Sequence, residues 1–212
     1  MRLNNSFDEV IEKKKHIMLL IMSFLIYIWS AINPNSYLVW FLNTIPTLML
    51  VSIVILTYKK FTFSTFVYFI IFIHVTILLI GAKYSYQLNP FFDKLTEIFD
   101  FSRNHYDRVG HFAQGLTPAL MAKELLLRMG YMKRSKMFYF IIMCIALAIS
   151  ASYELFEFLF AKISNYPIEF VLAYQGDVWD TQWDMIMALS GALTGLIILG
   201  PLHDKYIKRM DK

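Results

Sequence analysis

"YDRVGHFAQGLTPALMAKELLL", Tyr106 to Leu127, is the stretch on which the fold turns. It is long enough for a helix to cross a bilayer, which takes roughly 20 residues. It is also the least apolar of the candidate crossings, because Asp107, His111 and Gln114 would be costly against lipid. The reading that satisfies both facts is a membrane helix surrounded by others, with its polar face turned inward.

Composition supports a bilayer setting. Of 212 residues, 58% are hydrophobic and 17% aromatic, and the mean hydropathy is +0.50, well above the balance of a soluble domain. Tyr37 to Thr57 and Phe63 to Ala82 are nearly free of charge and long enough to span. His16 to Ile32, Met137 to Ile163 and Gln182 to Leu199 are further candidates, the last two with carboxylates at one end. With Tyr106 to Leu127 they predict an all-α, polytopic membrane helical bundle of about six transmembrane helices. The expected organisation is an N-terminal arm over 1–16, one transmembrane domain over 17–200 and a tail over 201–212. Lys13, Lys14 and Lys15 before an apolar run resemble a secretory signal, but no small-residue cleavage site closes it, so a retained first span is expected. The single cysteine, Cys144, excludes an intramolecular disulfide and reads as a small core residue.

The net charge of +4 does not indicate nucleic acid, because the basic residues lie between spans and form no extended surface. One set of alternate connections holds the N-terminal arm, Lys59, Lys60, Arg128 through Lys136 and Lys205 through Lys212; the other holds only Lys83, Lys94, Arg103, Arg108 and Lys162. The positive-inside rule makes the first set, and both termini, cytoplasmic. Removing the crossing at Tyr106 to Leu127 would put the basic Arg128 to Lys136 turn outside, so the charge pattern also argues for it. Trp29, Trp40, Trp179, Trp183, Tyr84 and Tyr86 fall near span ends, where interfacial aromatics gather.

This topology brings polar residues together at one end. Asp107 and His111 are four apart on one helix face, Glu154 and Glu157 three apart on another, and Asp177, Asp180 and Asp184 follow the spacing of a third. With Arg103, His105 and Arg108 they form a candidate polar site at the extracytoplasmic ends of three helices. Ionised groups at a span centre cost roughly 2.5 to 3.5 kcal/mol each, less nearer the interface, so compensation is required. Arg103 and Arg108 could lock the carboxylates into an ion-pair lattice. Alternatively Asp107, His111, Glu154, Glu157, Asp180 and Asp184 could converge on a divalent metal, for which oxygen donors with an imidazole suit Mg, Mn, Fe or Zn. The sequence leaves both open.

Other residues have plainer readings. Asp177 suits a helix N-cap, His74 a core histidine bonded to a neighbouring carbonyl, and His203 a solvated tail residue. Ala188, Gly191, Ala192 and Gly195 form a small-residue stripe suited to close internal packing. Pro118 should kink its helix and free a carbonyl. The phosphate-loop, dinucleotide, serine-hydrolase and zinc-protease motifs are absent from the sequence.

"GAKYSYQLNP", "RNHYDRVGHFAQGL", "YELFEF" and "QGDVWDTQWDM" resemble, in this order, the motifs of the bacterial YjdF-type inner-membrane proteins. The resemblance covers about residues 17 to 200. More distantly, D-x-x-x-H-F, an intramembrane E-x-x-E and a final aspartate with downstream small residues resemble VanZ, a membrane family linked to teicoplanin resistance. The resemblance implies a bacterial inner membrane and a shared site at Arg103, His105, Asp107, Arg108, His111, Glu154, Glu157, Asp177, Asp180 and Asp184. It implies no reaction. Three functions are consistent with these residues: a metal-assisted site that binds or processes a membrane lipid, a VanZ-like protein that binds without turnover, and an ion- or proton-coupled transporter. The last is disfavoured by the lack of repeated halves.

Overall fold

A computed structural model describes residues 2–164 and 175–210. Within them the chain forms α1 (Arg2–Ala31), α2 (Tyr37–Thr57), α3 (Thr65–Tyr84), α4 (Pro90–Phe99), α5 (Tyr106–Arg128), α6 (Lys136–Ser164), α7 (Asp180–Ile197) and α8 (Gly200–Met210), with no strand among the described residues. The protein is a polytopic helical membrane bundle. Val10–Ala31, Tyr37–Thr57, Thr65–Tyr84 and Lys136–Ile163 are long and apolar enough to cross, and α7 with α8, bent by 58°, supplies a fifth such segment. α5, expected as a further crossing, does not pass that test of apolarity, and its position is set by the helices packed around it.

That position is central. α5 packs against α3, α6 and α7, and its buried residues include Asp107, Arg108, His111, Lys123 and Glu124 as well as Ala119 and Leu120. Lipid tails are as apolar as leucine, so hydrophobicity does not drive one membrane helix onto another; close packing and polar bonds do. Both are visible. A Cβ on Gly115 would collide with the Ala188 carbonyl, and one on Gly191 with the Phe112 carbonyl, so α5 and α7 meet backbone to backbone. Ala188 and Ala192 are fully buried in the same seam. The small-residue stripe is thus used for internal packing. The α5 helix continues through Pro118, which leaves the Gln114 carbonyl without its usual amide donor.

The basic end of the bundle is fastened by a second polar network. Glu124, fully buried, accepts hydrogen bonds from the Ser64 amide at 2.7 Å, the Ser64 hydroxyl at 2.6 Å and Arg128 at 2.7 Å. His203 Nε2 lies 2.9 Å from its other side. Lys123 donates to the Gly200 carbonyl at 3.1 Å and pairs with Asp204 at 2.7 Å, which also takes a bidentate pair from Arg134 at 2.8 and 2.7 Å. His203 is therefore buried and bonded, contrary to its expected place in a solvated tail, because α8 folds back onto α3 and α5. The N-terminal arm is likewise helical and continuous with the first span.

Three further expectations change. Cys144 is exposed on the outer face of α6, not in the core. His74 is buried, but neither ring nitrogen has a hydrogen-bond partner, so the expected carbonyl bond is not made. The connection after α3 contains a helix, α4, started by Asn89, whose side chain accepts from the Phe91 and Phe92 amides, and by Pro90 at the first turn. Phe91, Ile98 and Phe99 remain exposed on it, as suits a short helix lying at the membrane surface.

Candidate functional site

The polar site forms where the first turns of α5 and α7 meet the last third of α6. α5 places Asp107 and His111 one turn apart, α6 contributes Glu154, and α7 contributes Asp180 and Asp184, all buried. The segment before α5 is held by Asn104, which the sequence reading did not single out. Its side chain donates to Asp93 at 2.7 Å and to the Asn89 carbonyl at 3.1 Å, and accepts from the Tyr106 amide at 3.0 Å. Its backbone exchanges bonds with the Gln175 side chain at 3.0 and 2.9 Å. An asparagine two residues before a helix start carries a weak signal of this kind, since its side chain bonds readily to nearby backbone.

The site has two halves. In the first, Arg103 reaches Asp180 at 2.5 Å and Asp177 at 3.6 Å. Arg108 reaches Asp184 at 2.7 Å, Asp180 at 2.8 Å and Asp177 at 3.2 Å, and also donates to the Asp180 carbonyl at 2.9 Å. This is the ion-pair lattice, and it takes up both guanidiniums. Asp177 does not cap α7 directly: Trp179 occupies that position, and Asp177 Oδ1 accepts from the Trp179 amide at 2.9 Å.

The second half lies on the other side of Asp184. His111 Nε2 is 3.5 Å from Glu154 Oε1, 3.8 Å from Asp107 Oδ1 and 3.8 Å from Asp184 Oδ2. The ligating atoms of Asp107, His111 and Asp184 lie within 4.8 Å of one another. None of these separations makes a good hydrogen bond, which needs about 3 Å, and Glu154 Oε1 and His111 Nδ1 have no hydrogen-bond partner. Two ligands each about 2.1 Å from one metal at a tetrahedral angle would be roughly 3.4 Å apart, close to the distances seen.

The remaining candidates are not within ion-pair distance of His111 Nε2, although Glu157 bonds to Tyr153 beside the centre. Asp180 is committed to the arginines. Glu157 is half-buried, one turn further along α6 from Glu154. His105 precedes α5 and packs edge-on against Phe101; burial, followed by the charges of Arg103 and Arg108, holds its imidazole below the usual value. Tyr153 places its ring 6.0 Å from that of His111 and closes one side of the centre.

The fold and this buried carboxylate, histidine and arginine cluster define a polytopic helical membrane protein with a charged interior at one end. The chain belongs to the DUF2238 family of predicted membrane proteins, whose model matches residues 15–205. It is similar to the "Inner membrane protein YjdF" of Escherichia coli (strain K12), at 40% identity over 185 residues, covering 87% of this chain and 88% of that protein. No solved structure matches it.

Proposed function

We propose that the protein binds a divalent cation through Asp107, His111, Glu154 and Asp184 at the outer surface of a bacterial inner membrane, and through it the anionic headgroup of a membrane lipid or other amphiphile. The observation that carries this reading is the set of three carboxylate oxygens standing 3.5 to 3.8 Å around His111 Nε2. These separations are too long for good hydrogen bonds, and the ligand atoms of Asp107, His111 and Asp184 lie within 4.8 Å of one another, with Glu154 against the same imidazole nitrogen. Charge supports it. The two arginines already face three aspartates, and among the described residues no lysine or arginine comes within ion-pair distance of Asp107 or Glu154. Two buried carboxylates need compensation, and a divalent ion supplies it. Oxygen donors with one imidazole favour Mn, Fe, Zn or Mg over a soft metal.

The lipid component rests on place and chemistry. The inner-membrane location is carried over from the named relative, and the outward orientation from the positive-inside rule. Half-exposed Trp183 and exposed Trp179 flank the α7 end of the site, as residues at headgroup level do. A cation that takes five or six ligands keeps a position open beyond four protein donors for a phosphate or carboxylate oxygen.

The test is elemental analysis of detergent-purified protein, with melting followed as a chelator is added. One tightly held equivalent of metal is expected. Chelation should lower the melting temperature by roughly 5 to 10 °C, and Mn or Zn should restore it, as a ligand present at about a hundred times its Kd would do for a chain of this size. Glu154→Gln should fold and lose the response. A wild-type protein that carries no metal and melts identically with chelator would end the metal reading.

A further inference from the structure

We infer that a second site, at the opposite end of the bundle from the carboxylate centre, holds one anionic phospholipid with an acyl chain seated between α1, α2 and α3. A crevice of about 280 Å³ lies between these helices, near the lower end of small-ligand cavities at roughly 300 Å³. It runs along α1 from Lys13 to Ser23 and along α2 from Lys59 to Val51. At 1.5 Å per residue it is about 15 Å long, the depth of one leaflet of a hydrocarbon core about 30 Å thick. Its walls are apolar, with Leu20, Val54 and Val75 among them. Leu20 is 43% exposed, so the crevice opens sideways toward lipid.

The mouth is what distinguishes this crevice from an ordinary lipid-facing groove. Lys13 and Lys59 flank it, and neither has an ion-pair partner among the described side chains. Glu12, the neighbouring acid among the described side chains, is otherwise engaged: it pairs with Lys15 at 2.6 Å and accepts a hydrogen bond from Thr65. Behind the lysines, His16 bridges Tyr58 at 2.9 Å and Thr65 at 2.7 Å, tying the three helices together and fixing the width of the opening. Two ammonium groups over an apolar slot match a phosphate joined to an acyl chain. By the positive-inside rule this is the cytoplasmic end, and lysines beside a span attract anionic headgroups at the membrane surface. The inference is independent of the carboxylate centre.

Native mass spectrometry of the purified full-length chain, offered equal phosphatidylglycerol and phosphatidylcholine in detergent, tests it. Two lysines at headgroup level should give the anionic lipid a preference of roughly tenfold or more, with one molecule retained per chain. The double variant Lys13→Gln, Lys59→Gln should lose that preference. Leu20→Trp should lose the retained lipid with both lysines in place, because it fills the slot at a residue that already faces lipid. Glycerol 3-phosphate, which has a headgroup and no chain, should not raise the melting temperature. Equal retention of the two lipids by the wild type, or wild-type retention by Leu20→Trp, would overturn the proposal. Glu154→Gln should keep the adduct, and its loss there would assign the lipid to the other site.

Discussion

Asp184 divides its carboxylate between two neighbours. Oδ1 accepts from Arg108 at 2.7 Å and Oδ2 faces His111 at 3.8 Å, so one side chain joins the ion-pair lattice to the candidate metal centre. The two halves should respond differently to substitution. Arg108→Ala leaves Asp177 and Asp180 with only Arg103 and Asp184 with no arginine, and breaking a buried pair in this way costs on the order of 3 to 5 kcal/mol. A fall in melting temperature is expected with or without chelator. Arg108→Lys should recover only part of it, because an ammonium cannot present the forked donors that span three carboxylates. Full recovery by lysine would mean that charge alone matters there.

Among the elements, α5 and α7 carry the site because nothing but backbone separates them. Gly191→Val would drive a branched side chain into the Phe112 carbonyl, and Gly115→Leu would do the same at Ala188. Either should reduce folded yield or melting temperature and weaken the metal response together. Gly195→Ala meets its nearest neighbours, Leu116 O and Leu120 Cγ, at 3.4 Å and should be tolerated. Equal tolerance of all three, judged by size-exclusion profile and melt, would mean that the helices can separate without loss. The central place of α5 was legible in the sequence, since polar residues inside a span-length segment have few other places to go. So was the small-residue stripe. The network around Glu124 was not, because the burial of Lys123 and Glu124 depends on α8 folding back, and that fold-back depends on partners distant in sequence. For the same reason the division of the carboxylates between arginines and the His111 centre was open. Spacing puts residues on a face but does not say which oxygen points to which neighbour.

Across the whole molecule, polar chemistry is gathered at the two ends of one central helix, with apolar surface between. If the basic end is cytoplasmic, Lys94→Cys and Lys133→Cys, each made in a Cys144→Ala background, should differ in intact cells. Lys94 lies on α4 and Lys133 in the turn after α5, and both are exposed. The first should react with an impermeant thiol reagent and the second only after permeabilisation; the reverse pattern would invert the orientation of both proposed sites. The seam between α5 and α7 has one more consequence. Two helices that touch through their backbones have no layer of side chains that can shift to absorb a displacement, so they behave as a single strut. From His111 to Glu124 that strut is about 20 Å long, and α8 is latched to its far end through His203 and Lys123. Force applied to α8 is then delivered to Asp184 as movement, with little lost on the way. His203→Ala, about 20 Å away along the strut, should therefore alter the midpoint of the Mn titration, and an unaltered midpoint would show that the strut yields.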